Sequence, residues 1–258
     1  MLSAPALRRE AEYFFGAVRF FTRLPVPGWV GHSAEHLNRS ARYFPAVGLL
    51  VGGIGALVYV TAALFWPKTI AVLLAMAATI HVTGAFHEDG LSDTVDGLGG
   101  GWDKARILEI MKDSRVGSYG VVALVLALLG KFMLLVEMTD AWLPAALVAG
   151  HAVSRFASTA LLSAMDYVRE DALSKAKPLA TRLTPGEMAT AAAFALAGLL
   201  LLPPAQALVA CALAALATLW MASLYRRWLG GYTGDCLGAA QQVAEIAFYL
   251  GLVARLPQ

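Results

Sequence analysis

The chain carries a dense group of acidic side chains in the stretch HEDGLSDTVDG, which runs from His87 to Gly97. Asp93 and Asp96 follow Asp89 at the i+4 and i+7 positions, so on a helix of about 3.6 residues per turn all three share one face. Like charges on one face repel one another, and a bound cation offsets that cost. Carboxylate oxygens are ligands that Mg²⁺ prefers, and Mg²⁺ held in this way commonly bridges to substrate phosphates. The spacing therefore predicts metal-assisted chemistry on a diphosphate.

A second group of polar residues follows in the stretch MKDSRVGSYG, from Met111 to Gly120. Asp113 is a fourth candidate for the metal site. Lys112 and Arg115 are candidates for holding phosphate oxygens, the arginine as a bidentate fork. The alternative interpretation is a solvated loop whose polar side chains cap the neighbouring helices.

The elements that must position these residues are long and apolar. Of the 258 residues, 59% are hydrophobic and 15% are charged, and the mean hydropathy is +0.64. A soluble domain carries roughly 25% charged residues, so the composition predicts an integral membrane protein with the lipid bilayer as one partner. The net charge is +2 and the basic residues are scattered, which argues against nucleic acid as a partner.

Seven apolar stretches approach the length of about 20 residues that a membrane span needs. The shortest begins at Met188; it either starts earlier, near Thr184, or is thin or re-entrant. The sequence therefore predicts an all-α, polytopic membrane helix bundle of about seven spans, with six to eight as the range, in a single domain over residues 1–258. The stretches are Phe44–Trp66, Thr69–Phe86, Tyr119–Met138, Trp142–Leu162, Met188–Leu202, Ala205–Tyr225 and Cys236–Leu256.

Basic residues alternate between the connections of these stretches. Arginine and lysine are concentrated before the first stretch and after the second, fourth and sixth, whereas the other connections carry at most one lysine. The positive-inside rule then places the N-terminus and the acidic motif in the cytoplasm. We therefore expect a multi-pass protein of the bacterial cytoplasmic (inner) membrane whose active-site loops lie on the cytoplasmic side.

The segment Ala11–Leu24 is rich in aromatic residues and carries Arg19 and Arg23 four positions apart. One interpretation is a helix that lies in the membrane interface with its arginines facing the headgroups. The segment then either only anchors the N-terminus or, through Arg23, also contacts substrate.

Ionisable residues inside membrane spans are costly and are functional candidates for that reason. Lys131, Arg155 and Glu245 lie within predicted spans, and His151 stands one turn before Arg155. Lys131 and Arg155 either anchor an anionic substrate or form an internal ion pair, with Glu137 or Glu245 as partner. Glu245 is also a candidate contact for a polar edge of the substrate, whereas His151 alone is better interpreted as a packing residue.

The stretch GGYTGDCLGA, from Gly230 to Ala239, enters the last predicted span. Asp235 either caps that helix or belongs to a second acidic loop that faces the first on the phosphate side. Glu88, at the start of the acidic motif, is counted with Asp235 among the candidate substrate contacts.

Taken together, these motifs resemble the adenosylcobinamide-GDP ribazoletransferase family, also called cobalamin (5′-phosphate) synthases, which are membrane enzymes of late cobalamin biosynthesis. The resemblance extends from about residue 20 to the C-terminus, and the acidic motif with its KDSRVG continuation is its most specific part. One loop departs from the family pattern, because Arg169 is kept but Ala172 stands where a glycine is expected. The matching segments are FFTRLPVP (Phe20–Pro27), FPAVGLLVG (Phe44–Gly52), the acidic motif with GGGWDKARILEIMKDSRVGSYG (Gly99–Gly120), and TGDCLGA (Thr233–Ala239).

The resemblance implies an Mg²⁺-dependent enzyme that joins adenosylcobinamide-GDP to α-ribazole or its 5′-phosphate and releases GMP. In that reaction Asp89, Asp93 and Asp96 would hold one or two Mg²⁺, with Asp113 as a further candidate ligand. Catalytic roles would also fall to Lys112 and Arg115, which neutralise the phosphates. Either Asp93 or Asp96 would accept the proton of the ribose hydroxyl.

Two other functions stay open at this point. A CDP-alcohol phosphotransferase also uses clustered aspartates on membrane helices, and DTVDG (Asp93–Gly97) fits the opening of its signature, although the residues that follow do not fit the remainder. A cation transporter would use the carboxylates as a binding site, but transporters usually bind their ions near the bilayer midplane. A homo-oligomer stays open as well, since Gly48, Gly52 and Gly55 at helical spacing allow close helix packing within one chain or between copies.

Overall fold

The computed structural model describes residues 4–31, 34–169 and 182–255, and across these ranges the regular structure is helical. The predicted all-α fold is therefore confirmed, and Ala172 lies outside the described residues. A single 3₁₀ turn at Ala41–Tyr43 leads into the third helix. The α-helices are α1 (Ala4–Phe21), α2 (Ala34–Ser40), α3 (Phe44–Ala62), α4 (Lys68–Thr83), α5 (Phe86–Gly100), α6 (Lys104–Ile110), α7 (Ser118–Glu137), α8 (Leu143–Ala164), α9 (Pro185–Leu199), α10 (Pro204–Trp228) and α11 (Gly234–Leu252).

Four helices of the described chain are long and apolar enough to cross a membrane by themselves: α3 with the residues before it, α7, α8 and α10. A fifth candidate is the pair α4 and α5, whose axes meet at 85°. The molecule is thus a membrane helix bundle, while the count of seven spans stays a prediction. α9 begins at Pro185, and Thr184 caps it, which matches the expectation that this segment starts before Met188.

The helices differ in which surfaces they bury. In α8, 78% of the apolar window is buried inside the protein, whereas in α7 only 17% is buried. α8 is therefore an interior helix, and α7 and α10 present apolar side chains outward, where lipid would contact them. α11 packs against α5, α7, α8 and α10, so it connects the interior of the bundle to the acidic helix α5.

The small residues of α3 let this helix pack closely against α8 and α4 of the same chain. A Cβ on Gly48 or Gly52 would overlap the backbone of α8 at His151 or Leu147, and a Cβ on Gly55 would lie 2.8 Å from Thr79 of α4. Close approach of helix backbones requires such small residues. These three glycines therefore serve packing within the chain, and they do not support an interface between copies.

α1 is longer at its start than the sequence indicated and ends before Arg23. It buries Tyr13, Ala17, Val18 and Phe21, a spacing that forms one helical face, and it contacts α2 and α3. Its placement in the membrane interface stays a prediction.

Candidate active site

The acidic motif begins directly after a sharp break between α4 and α5. Gly84 and Ala85 both have left-handed backbone conformations, with φ of 66° and 58°. The amide of Ala85 donates to the carbonyl of Ile80 and closes α4, as in a Schellman-type ending. The left-handed conformation is strained for a residue with a side chain, so the break at Ala85 is held by its surroundings. It turns α5 by 85° from α4, so the acidic motif lies beyond the predicted span Thr69–Phe86 and leaves the direction of α4.

Arg23 lies at the same break. Its backbone amide donates to the carbonyl of Val82 at 2.8 Å, and a Cβ on Gly84 would lie 2.5 Å from its Nε atom. Its side chain is exposed. The structure therefore puts Arg23 at the entry of the acidic helix, and contact with substrate stays a prediction.

The three aspartates of the motif are on one helix, as predicted, but they differ in exposure. Asp89 is exposed, Asp93 is half-buried and Asp96 is buried. Asp89 and Asp93 are one turn apart and form the open row of α5.

Asp235 is brought to this open row by close packing of α11 on α5. A Cβ on Gly90 would lie 2.8 Å from the Asp235 carbonyl oxygen and 3.2 Å from the Gly238 Cα atom. Only glycine at position 90 allows this approach. The interpretation of Asp235 as the cap of α11 is wrong, because the Thr233 hydroxyl accepts the amide of Cys236 and caps the helix.

Asp93 has unusual electrostatics for an aspartate. Burial raises its pKa to about 6, and the negative charges of Asp235 and Asp89 act in the same direction. The positive charge of Arg169 acts against them. Arg169 lies 3.2 Å from the Asp235 carboxylate and also donates to the carbonyl of Met111 at 3.1 Å, so it connects the start of α11 to the end of α6.

Asp96 is directed at the first turn of α7. Its carboxylate accepts the amides of Gly117 at 2.7 Å and Gly120 at 2.9 Å, as a capping side chain does. A Cβ on Gly120 would overlap this carboxylate and the Ser92 hydroxyl. Asp96 therefore fixes α7 to α5, and its role as a metal ligand or base stays a prediction.

The loop between α6 and α7 contains the predicted phosphate residues. Arg115 donates several hydrogen bonds to the Asp113 carboxylate, the shortest being 2.6 Å from Nη2 to Oδ2. These hydrogen bonds lower the pKa of Asp113 to about 2. Lys112 is exposed. The loop borders a hollow of about 490 Å³, whose charged and aromatic lining comprises Asp96, Arg106, Glu109, Asp113, Arg115 and Tyr119.

A buried polar cluster lies around Glu245 of α11. One carboxylate oxygen lies 3.2 Å from the Lys131 ammonium and accepts the Tyr249 hydroxyl at 3.0 Å. The other accepts the Gln241 amide at 2.8 Å and lies 3.7 Å from the His151 ring nitrogen Nδ1. Of the two alternatives for Lys131, the internal ion pair with Glu245 is thus present in the structure.

Gln242 connects this cluster to the acidic helix. Its amide oxygen accepts from Lys131 at 2.9 Å, and its amide nitrogen donates to Glu88 at 3.0 Å. Glu88 and Gln242 are both buried. Glu88 therefore faces the protein interior, away from the open row.

Arg155 is fully buried on α8. Its Nη1 atom donates to the carbonyl of His151 at 3.0 Å, and the guanidinium lies over the Phe21 ring. Within the described ranges its Nε and Nη2 atoms have no hydrogen-bond partner. Direct contact of Lys131, Arg155 or Glu245 with substrate stays a prediction, and their burial favours a role within the bundle.

The carboxylates of the candidate site are the kind of ligand that Mg²⁺ prefers, but in the described residues they are not arranged as a compact metal site. In the described part of the chain, no group of three or more His, Cys, Asp or Glu side chains is gathered closely enough to hold a metal ion. Asp89, Asp93 and Asp235 nevertheless supply hard oxygen donors, and their mutual repulsion acts on Asp93. A divalent cation would relieve that repulsion.

Two contributions to the site were not foreseen from the sequence. The polar pair Gln241 and Gln242 inside an apolar span was a usable signal, because buried amides need partners. The ion pair of Arg169 with Asp235 had no local signal, since the two residues are distant in sequence.

Comparison with known proteins agrees with these features. The family model described as cobalamin-5-phosphate synthase matches residues 13–253. Proteins named adenosylcobinamide-GDP ribazoletransferase are similar over nearly their whole length. That of Polaromonas sp. is 48% identical over 95% of this chain and 97% of its own. That of Leptothrix cholodnii is 49% identical over 96% and 97%, and that of Shewanella frigidimarina is 47% identical over 95% of each. No solved structure matches the chain.

The fold and the site define a class: helical membrane proteins that gather carboxylates and basic side chains at the ends of their helices. Within that class, the chain belongs to the cobalamin-5-phosphate synthase family.

Proposed function

We propose that the chain joins adenosylcobinamide-GDP to α-ribazole or α-ribazole 5′-phosphate, releasing GMP and forming adenosylcobalamin or its 5′-phosphate. The family match over residues 13–253 and the names of its relatives support this reaction. The structural observation that carries it is the half-buried Asp93 between the charges of Asp89, Asp235 and Arg169.

The atoms of the reaction balance as follows. A ribose hydroxyl oxygen attacks the phosphorus on the corrinoid side of the diphosphate, and the bond from that phosphorus to the GMP oxygen breaks. The hydroxyl proton passes to a base, and GMP leaves with the charge. Positioning and charge neutralisation supply most of the catalysis in such transfers.

The open row of α5 is suited to the acid–base part of this chemistry. Asp93 has a pKa of about 6, close to the pH at which a general base is most effective. Asp96 holds two backbone amides, which makes it the weaker of the two candidate bases. We therefore assign proton acceptance to Asp93.

Mg²⁺ is proposed as the cofactor. Asp89 and Asp235 would be its principal ligands, with Asp96 and Asp113 as further ligands expected from the sequence, whereas Asp93, the remaining ligand expected from the sequence, is assigned to proton transfer instead. Bound there, the ion would supply charge neutralisation for the diphosphate and the departing GMP. Lys112 and Arg115, in the loop between α6 and α7, would hold phosphate oxygens.

The remaining expectations keep the status of proposals. The protein would lie in the bacterial cytoplasmic membrane with its N-terminus and acidic helix on the cytoplasmic side. Arg23 and Asp235 would be the polar residues nearest to the substrate. Direct contact of the buried Glu88 with substrate stays a prediction from the sequence, and a homo-oligomer stays open.

The deciding experiment measures GMP release by the detergent-purified protein from adenosylcobinamide-GDP and α-ribazole 5′-phosphate, with and without Mg²⁺. We expect metal-dependent GMP together with a cobalamin product. Asp93→Asn should lower the rate at least about 100-fold, the contribution typical of a general base. Asp140→Asn is the matched control, because Asp140 is exposed and pairs with Lys68 in another part of the molecule.

Absence of GMP from folded wild-type protein would refute the proposed reaction. The CDP-alcohol phosphotransferase and cation-transport hypotheses would then be tested with a CDP-alcohol substrate and with ion flux into vesicles. Near wild-type activity of Asp93→Asn would remove Asp93 from the catalytic residues.

A further inference from the structure

Four buried ionisable side chains meet between the helices behind the acidic site. Lys131 of α7 and Arg155 of α8 carry positive charge, and Glu88 of α5 and Glu245 of α11 carry negative charge; each is at most 9% exposed. Burying ions is costly, and apolar side chains of similar volume often give equal or greater stability. A buried cluster of this kind therefore indicates that its charges set how these helices are arranged, and not that they add stability.

Gln242 is the direct hydrogen-bonded link from the Lys131–Glu245 pair to α5. An ammonium group can only donate hydrogen bonds and an ionised carboxylate can only accept them. The amide oxygen of Gln242 must therefore face Lys131 and its amide nitrogen must face Glu88, as the distances of 2.9 and 3.0 Å indicate. A glutamine satisfies both neighbours, whereas a leucine satisfies neither and a glutamate repels Glu88.

The position of Glu88 affects where the open row, Asp89 and Asp93, lies. Glu88 is in the first turn of α5, next to Asp89 and just over one turn before Asp93. The end of α5 is tied separately, through Asp96 to α7. The start of α5 follows the break at Gly84 and Ala85, and the close packing at Gly90 brings α11 against it. The hydrogen bond from Gln242 to Glu88 adds a directional contact to α11 at this first turn.

We propose that Gln242 is a positioning residue that holds the first turn of α5 through Glu88 and so places Asp89 and Asp93 opposite Asp235. The catalytic consequence rests on the proposed function, but the position of α5 can be tested without it.

The first test is Gln242→Leu, which at similar size removes the hydrogen bonds to Lys131 and Glu88 together with a third one to the side-chain oxygen of Gln241. Gln206→Leu in the first turn of α10 is the matched control. In Gln242→Leu we expect hydrogen exchange of the α5 backbone amides to become about tenfold faster or more, because a buried hydrogen bond to a charged group is lost. The Gln206→Leu variant should exchange like wild type. We also expect a higher Mg²⁺ concentration for half-maximal GMP release. Faster exchange spread evenly over all helices would mean a merely structural role and would overturn the proposal.

The second test exchanges the two partners. Gln242→Glu alone places a carboxylate against Glu88 and should loosen α5. The double variant Glu88→Gln with Gln242→Glu restores the donor and the acceptor between positions 88 and 242 and keeps the net charge. Exchange in α5 should therefore be slower than in Gln242→Glu, although the hydrogen bond to Gln241 is still missing. Failure of the double variant to improve on Gln242→Glu would overturn the proposal. If wild type releases no GMP, the proposed reaction fails while the exchange data still decide the role of Gln242.

Discussion

Asp93 and Asp113 have the same side chain but opposite electrostatic surroundings. Burial and two neighbouring carboxylates raise the pKa of Asp93 to about 6, whereas the guanidinium of Arg115 lowers that of Asp113 to about 2. Near pH 6 Asp93 changes charge while Asp113 stays ionised. The two residues can therefore be told apart by titration.

The thermal stabilisation by Mg²⁺ should depend on pH through Asp93. Asp93 interacts with the charges of Asp89 and Asp235, and only its deprotonated form adds negative charge that favours a cation held by them, so as pH falls through about 6 the binding of Mg²⁺ weakens, and as pH rises it strengthens. We expect the Mg²⁺-induced rise in Tm to be clear at about pH 7.5 and largely lost at about pH 5. The measurement is thermal unfolding of the detergent-purified protein with and without Mg²⁺.

Asp93→Asn should remove this pH dependence, whereas Asp113→Asn should leave its midpoint unchanged. A stabilisation by Mg²⁺ that is constant between these pH values would show that the ion does not depend on Asp93. Ca²⁺ serves as a comparison ion, because it accepts more flexible oxygen coordination.

At the scale of helices, the contact of α5 with α7 depends on glycine. Gly117 and Gly120 let the first turn of α7 close on the Asp96 carboxylate. In the sequence, Gly117 and Gly120 are only part of the polar stretch Met111–Gly120. The structure shows that both serve a helix cap, a use that only the tertiary contact reveals.

Gly120→Ala should destabilise the protein and reduce activity. Its Cβ would overlap Asp96 and Ser92, and such overpacking costs about 1–3 kcal/mol. Gly130→Ala is the control in the same helix, because no atom lies within 4 Å of its added Cβ. We expect that change to be neutral or to stabilise α7 by up to about 1 kcal/mol. Equal Tm values for both variants would contradict the packing of Asp96 on α7.

Helix boundaries could be predicted where the cause is local. The apolar stretches located α3, α7, α8 and α10, and Thr184 was correctly placed at the start of α9. The break at Ala85 could not be predicted, because a left-handed alanine is held by tertiary contacts against its own preference. The cap of α11 was misassigned for a simpler reason: Thr233 and Asp235 are both common caps, and only geometry distinguishes them.

At the scale of the whole molecule, the charged cluster joins four helices into one interior. The ionisable residues were recognised in the sequence as exceptional for a membrane span. Their partners were left open, since Lys131 and Gln242 are 111 residues apart and no local pattern encodes that contact. The same limit applies to the approach of Asp235 to Asp93.

Lys131→Met should destabilise the bundle more than the double variant Lys131→Met with Glu245→Gln. Removing one partner of a buried pair leaves the other charge uncompensated, which costs about 3–5 kcal/mol. Neutralising both should recover part of that loss. Lys68→Met is the control, because its partner Asp140 is exposed and exposed pairs contribute about 0–1 kcal/mol. Thermal unfolding of wild type, Lys131→Met, Glu245→Gln, the double variant and Lys68→Met gives the comparison. A double variant as unstable as the sum of its two singles would exclude the pair.

The separation of Lys131 from its partners also has a consequence for biogenesis. α7 leaves the ribosome long before α11 is synthesised, so for that interval Lys131 lacks both Gln242 and Glu245. A lysine at the centre of an inserting helix costs about 2.5–3.5 kcal/mol, which the strongly apolar remainder of α7 must offset. Membrane insertion of α7 and maturation of the acidic site are therefore separated in time. α11 then completes both the charge balance of the interior and the support of the acidic helix.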